Sequence, residues 1–251
     1  AEGNTPLHYA ARSSDPGVAA LLRDAGAEID PLNRDHASPL ALACTAGNWR
    51  LARFLLERGA KPELPGALPA LHAALLASSG RHRAVVHLGG IANITLLPPK
   101  NALHADVRGF DTGPANALMD AWCLRHTGAG YDRNGAFALS GRVDTALLSK
   151  LLQEPWFSVP APKSTGRDQF HLGWLEHHLS GQEAPADVQA TLLALTARTV
   201  ADALNAAQPN TSRLIACGGG VHNPALMRAL AATLPRIAVE SSAAHGLDPD
   251  L

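Results

Sequence analysis

The stretch Leu88-Gly89-Gly90-Ile91-Ala92-Asn93, followed by Gly109-Phe110-Asp111-Thr112-Gly113-Pro114, decides how the larger part of this chain folds. Ahead of it, Ala84-Val85-Val86-His87-Leu88 reads as a buried strand. Gly89-Gly90 turns the chain and residues 91–97 return as a second strand, which predicts a hairpin. Residues 106–110 read as a third strand, ending at Asp111-Thr112-Gly113-Pro114. A helix over 115–126 follows, with Pro114 in its opening turn, where no N–H is needed. The Asp111 carboxylate is thereby expected at the carboxyl end of a strand, beside a helix N-terminus.

Downstream, Leu214-Ile215-Ala216-Cys217 is a short buried strand that runs into Gly218-Gly219-Gly220. Asn223-Pro224 opens a helix to residue 234, and Ile237-Ala238-Val239 is a further strand. This predicts a βαβ unit whose glycines let backbone N–H groups approach a ligand. Between the two blocks, residues 187–206 form an amphipathic helix with Val188, Leu192, Leu195, Val200 and Leu204 near one stripe.

Composition narrows the function classes. The 251 residues are 46% hydrophobic and 17% charged, typical of a soluble globular protein. Lys plus Arg number 21 against 22 Asp plus Glu, so the net charge of −1 offers no field for nucleic acid or an anionic membrane. Cys44, Cys123 and Cys217 are odd in number and widely spaced, which argues against a disulfide framework or structural zinc and favours a reducing, cytoplasmic setting. The apolar run 67–77 contains His72 and is about half of the ~20 residues a membrane span requires. Residues 1–8 lack the basic start and apolar core of a secretory signal. Aromatic residues make up only 4%, so the core is expected to be built from Ala, Leu and Val. The adjacent His177 and His178 sit on a predicted helix and point in different directions, so no metal site is expected.

The first quarter of the chain has a period. Thr5-Pro6-Leu7-His8-Tyr9-Ala10 matches the ankyrin signature T-P-L-H-x-A, and Ser38-Pro39-Leu40-Ala41-Leu42-Ala43 echoes it. Leu7 and Leu40 are 33 positions apart, the ankyrin period. Each copy is followed by a second helical run, 18–25 and 49–58, and a Gly-Ala turn at Gly26-Ala27 and Gly59-Ala60. Thr or Ser caps the first helix, Pro occupies its first turn and Leu points into the stack. Residues 1–64 thus resemble about two ankyrin repeats. A third start at Pro69-Ala70-Leu71-His72-Ala73 falls two residues short of the period, and that helix is assigned to the following domain. Ankyrin arrays present protein-binding surfaces, so a protein partner is one expectation; a scaffold without one is the other.

Taken in order, Leu88–Asn93, the segment from Gly109 to Pro114, Tyr131-Asp132-Arg133, Pro162-Lys163-Ser164-Thr165-Gly166-Arg167, and Cys217-Gly218-Gly219-Gly220 with Asn223 resemble the anhydro-N-acetylmuramic acid kinase family. The likeness covers residues 65–251, beginning with Gly66-Ala67-Leu68-Pro69-Ala70-Leu71-His72, which is similar to the helix before that family's first phosphate hairpin. It implies one lobe, the second, of an α/β actin-like ATPase (ribonuclease H-like) fold behind an all-α ankyrin segment. The implied reaction converts 1,6-anhydro-N-acetylmuramic acid, ATP and water to N-acetylmuramic acid 6-phosphate and ADP in peptidoglycan recycling, in the cytoplasm, with Mg²⁺ and often as a homodimer. By this resemblance Asp111 is the catalytic base. Gly89, Gly90, Asn93, Gly218, Gly219, Gly220 and Asn223 contact ATP, and Thr112, Gly113 and Asn116 contact the sugar. A helix N-terminus beside Asp111 would favour its ionised form, as a base requires. The residues alone leave open the commoner role, in which Asp111 caps the helix. Lys163 and Arg167 receive no role.

The chain also departs from the family. His87, Asn134 and His171 stand where Asn, Asp and Asn are usual, and Ala115 stands where Gly is usual, which is expected to crowd a ligand or strain a backbone of positive φ. Neither the family's first phosphate loop nor its late acidic residue is found here. Phosphoryl transfer requires donor, metal and acceptor to be positioned together, so this stretch alone is expected to be impaired as a kinase. The alternative is an ankyrin-type interaction module fused to a non-catalytic kinase remnant.

Overall fold

In a computed structural model of the chain, residues 3–11, 16–34, 37–45, 48–61, 76–99 and 107–250 are described. The chain divides into two compact units, Ala1–Ala77 and Ser78–Leu251. The expected helix from Gly66 and the candidate third repeat at Pro69 lie outside the described residues, as does Asp106.

The first unit is two helical pairs, α1 (Pro6–Ala10) with α2 (Pro16–Asp24) and α3 (Pro39–Thr45) with α4 (Trp49–Glu57). Both signature leucines, Leu7 and Leu40, are buried with Ala10, Ala19, Leu51 and Leu55. Gly26 and Gly59 share a φ of 88°, and in each turn the following alanine donates back five residues, Ala27 N–H to Leu22 and Ala60 N–H to Leu55, both at 2.9 Å. This is the Schellman stop that only a left-handed residue permits, so the Gly-Ala pair ends both repeats identically. His8 joins the two copies. Its Nε2 donates to the Ala37 carbonyl at 2.9 Å, which leaves Nδ1 to accept from the Thr5 N–H at 3.1 Å and hydroxyl at 2.9 Å.

In the second unit, β1 (His82–Leu88), β2 (Ile91–Leu97), β3 (Arg108–Pro114), β4 (Thr211–Cys217) and β5 (Ala238–Ser241) form one sheet in the order β3-β2-β1-β4-β5. β2 runs antiparallel to β1 and β3, whereas β1, β4 and β5 are parallel. That order, with only the second strand reversed, is the ribonuclease H-like arrangement. Successive Ala84, Val85 and Val86 are all buried, so β1 is covered on both faces, as its unbroken apolar run predicts.

Between β3 and β4 lie α5 (Asn116–Thr127), α6 (Ala136–Ser140), α7 (Thr145–Leu151), α8 (Leu172–Glu176) and α9 (Pro185–Ala207); α10 (Pro224–Thr233) links β4 to β5. α9 buries Val188, Leu192, Leu195, Val200 and Leu204 and packs on β2, β3, α5 and α10. The core is largely aliphatic, as the composition predicts, but Trp156, Phe157, Phe170 and Trp174 stack in one chain with ring centroids 5.0–5.7 Å apart. This stack pins both ends of the loop that carries Lys163–Arg167.

Two sequence expectations change. Pro114 ends β3 opposite Ile91 and does not open α5. β3 is an edge strand, where a residue without an N–H leaves no ladder bond unmade. His177 and His178 lie just past α8, with His178 Nδ1 bonded to the Trp174 carbonyl at 2.9 Å.

Candidate active site

Asp111 sits at the centre of a hydrogen-bonded brace. Asn93 is its register partner across β2 and β3, and the Asn93 amide donates to Asp111 Oδ1 at 2.8 Å. The Ser164 hydroxyl and the Thr165 N–H both donate to Oδ2 at 2.9 Å, and the Asp111 N–H donates to the Lys163 carbonyl at 2.9 Å. Three donors from two separate elements hold both carboxylate oxygens in one orientation.

Asp111 therefore does not cap α5. The cap position is Ala115, without a side-chain bond. The leading amides of the helix are taken by the glycine turn: Ala115 and Ala117 N–H donate to Gly90 O at 3.0 and 3.1 Å, and Asn116 N–H donates to Gly89 O at 3.1 Å. The turn is thus bolted to the helix through its carbonyls. Ala115 is buried with φ −131°, so its methyl meets none of the left-handed strain expected where the family has glycine.

The triple glycine divides its labour. Gly218 has φ +83° and donates its N–H to the Pro249 carbonyl at 2.6 Å. A Cβ on Gly220 would lie 2.6 Å from Leu88 Cβ, so this glycine permits close approach to β1. Only Gly219 faces open space, with Asn116 Nδ2 at 4.0 Å the nearest atom to a built Cβ. Asn116 also donates to the Leu88 carbonyl at 2.9 Å, which ties α5 to the end of β1. The His87 ring fills the gap between the two turns, 2.9 Å from a Cβ on Gly89 and 3.0 Å from one on Gly218. Asn223 caps α10, its Oδ1 accepting from Ala225 and Leu226 N–H at 3.1 and 3.2 Å.

Asn116, Gly219 and Asn223 line a cavity of about 270 Å³ with Met119, Asp120, Tyr131 and Asn134. Asn134 there has φ 59°, a left-handed conformation that Asn tolerates. Burial pushes the Asp120 carboxyl up to about 6, against the lowering pull of Arg167 and with a further raising contribution from Asp132. Burial also drives the Cys217 thiol to about 12, so it stays a thiol and offers no nucleophile.

Thr112 and Gly113 are not brought to the Asp111 carboxylate. Thr112 is buried, donates to the Ala92 carbonyl at 3.3 Å and lines a separate cavity of about 690 Å³ with Phe110, Phe157 and Thr199. Gly113, at φ 144°, accommodates Phe157, whose Cε1 would lie 2.8 Å from a Cβ. Lys163 is committed to structure: its ammonium donates to the carbonyls of Trp156 at 3.1 Å and Phe157 at 2.8 Å and sits over the Trp156 ring. Burial lowers its pKa. Asp132 accepts from Phe137 and Ala138 N–H and so caps α6. His171 caps α8 through Nδ1, a service Asn commonly provides.

Sequence reasoning missed Ser164, Thr165 and Asp120. The first two stand in the Pro162–Arg167 motif, but nothing local points to their target, Asp111, 53 and 54 residues away. Asp120 lies four residues after Asn116 on α5, and that spacing places both on one helix face. Among the described residues no group of three or more His, Cys, Asp or Glu side chains could hold a metal ion.

Fold and site together define a ribonuclease H-like lobe of the actin-like ATPase class, with a braced carboxylate beside a glycine hairpin. Residues 65–251 match the family described as anhydro-N-acetylmuramic acid kinase, and residues 1–66 match ankyrin repeats (3 copies). The chain belongs to the anhydro-N-acetylmuramic acid kinase family. The protein of that name from Xanthomonas campestris pv. campestris is 60% identical over 184 residues, which cover 73% of this chain and 48% of that protein. Its counterpart from Pseudomonas syringae pv. syringae is 49% identical over 185 residues, covering 73% and 50%. The chain spans about half the length of the curated relatives it matches. Among solved structures, xylulose kinase from Rhodospirillum rubrum is similar with a TM-score of 0.44 and 16% identity, over 69% of this chain and 37% of that one.

Proposed function

We propose that the second unit supplies the water-activating base and the nucleotide-facing turns of an ATP-dependent sugar kinase acting on 1,6-anhydro-N-acetylmuramic acid. The observation that carries this reading is the Asp111 carboxylate, braced by Asn93, Ser164 and Thr165 on the strand paired with the one that leaves the Gly89–Gly90 turn. A general base must be oriented toward its proton before its basicity matters, and this brace orients it.

In the proposed reaction, Asp111 removes a proton from water as the water oxygen bonds to the anomeric carbon. The bond from that carbon to the bridging O6 breaks, and O6 takes the phosphoryl group from ATP as the bond to the ADP oxygen breaks. The water-activating half is that of an inverting glycosidase, whereas the phosphoryl half needs positioning and charge neutralisation. Mg²⁺ would supply part of that neutralisation. Gly219, open toward the cavity that Asn116 and Asn223 also line, is the proposed nucleotide side.

Cytoplasmic residence, a homodimer and a protein partner on the ankyrin unit belong to the same proposal. The first is supported by three buried cysteines in no disulfide, and the last by the ordered repeats. The test is ADP release from ATP with and without the anhydro sugar, comparing the chain with its Asp111→Asn variant. Sugar-dependent release that falls about 10²–10⁴-fold in the variant supports the enzyme. Equal rates with and without sugar refute it for this chain and favour the reading in which the ankyrin unit recruits a partner to an inactive lobe.

A further inference from the structure

Two cations lie on the loop that braces Asp111, and the structure uses only one. Lys163 is bound to two carbonyls and an indole face. Arg167 is exposed and, among the described residues, makes no hydrogen bond or ion pair, although its charge acts on Asp120. Its guanidinium rests on the glycine turn: a Cβ on Gly90 would lie 3.0 Å from Arg167 Nη2 and 3.2 Å from Nε. Since the carbonyls of that turn are held by the amides of α5, the turn keeps a fixed shape beneath the guanidinium. One five-residue segment thus fixes the base through Ser164 and Thr165 and sets a planar cation on the hairpin two residues later.

We propose that Arg167 receives the terminal phosphoryl group of the nucleotide at the Gly89–Gly90 turn, an inference that rests on the kinase reading above. An arginine fork matches phosphate oxygens bidentately and loses no proton in doing so. As O6 bonds to the γ-phosphorus and the bond to the ADP oxygen breaks, the electron pair leaves with ADP. Arg167 meanwhile donates hydrogen bonds to the non-bridging oxygens, whose charge it offsets.

Calorimetric titration of the full chain with ATP and, separately, ADP, each with Mg²⁺, tests this in the wild type, Arg167→Gln and Arg167→Lys. Arg167→Gln is expected to lose about tenfold in ATP affinity with ADP affinity unchanged, and Arg167→Lys to recover part of the loss. Equal weakening of both nucleotides, or no change in either, overturns the assignment of Arg167 while leaving the kinase reading standing. A wild type that binds neither nucleotide overturns the kinase reading and Arg167 with it. A raised Michaelis constant for the sugar at an unchanged ATP-to-ADP affinity ratio places Arg167 on the sugar and likewise overturns the proposal.

Discussion

Asp120 offers the sharpest physical test of the second unit. Burial holds its carboxyl at about 6, above the ordinary 3.8, and only the neighbouring Arg167 opposes that rise. Between these values the folded chain keeps a proton that the unfolded chain has released, so stability falls as pH rises through the interval. Below it the group contributes nothing, and above it the whole cost of a half-buried carboxylate is present. At about 1.36 kcal/mol for each pH unit the interval corresponds to roughly 3 kcal/mol, which solvent access to the half-buried side chain reduces to about 1 kcal/mol. Asp120→Asn removes the titration and keeps the shape. Urea midpoints followed by tryptophan emission, with Trp122, Trp156 and Trp174 reporting on this unit, should show the variant gaining about 1 kcal/mol at about pH 7.5 and nothing at about pH 4. A gain of equal size at both values, or a loss that grows with pH, would refute the reasoning.

Three further outcomes are expected. Gly220→Ala should cost about 1–3 kcal/mol by urea denaturation, because its methyl would overlap Leu88, whereas Gly219→Ala, with open space around it, should leave stability unchanged and weaken nucleotide binding. Ser164→Ala removes one donor from the Asp111 brace and should lower the turnover number roughly fivefold, the equivalent of one hydrogen bond, without changing nucleotide affinity measured by titration. His8→Ala strips the Ala37 carbonyl of its partner and should destabilise the ankyrin unit by about 1–3 kcal/mol; unaltered thermal melting of that unit would contradict the bridging role.

Much of this architecture was legible because it is written locally. The Gly-Ala stops, the Leu7 and Leu40 period, the hairpin at Gly89-Gly90 and the strand before the triple glycine each rest on a backbone rule that operates within a few residues. Asp111 is singled out by the order of motifs it shares with the family, whereas the strand end expected at this residue is overturned, since β3 continues through it to Pro114. The Asp111 brace could not be singled out, because Ser164 and Thr165 reach it only through tertiary packing of an aromatic stack. Pro114 shows a local rule losing to topology: proline is as acceptable at the end of an edge strand as at the first turn of a helix, and only strand order decides between them. The resemblance places Thr112 on the sugar together with the base at Asp111, yet the two-residue alternation of a strand sends these neighbours to opposite faces.

The long reach of the brace has a consequence for the growing polypeptide. Synthesis delivers Asp111 first and its two downstream donors only 53 and 54 residues later, and the parallel neighbour of β1 emerges later still. Until then the nascent hairpin carries a bare edge, open to strangers as readily as to β4, and a carboxylate pointed nowhere in particular. The aim of this carboxylate is set by segments made after it, not by the strand that carries it.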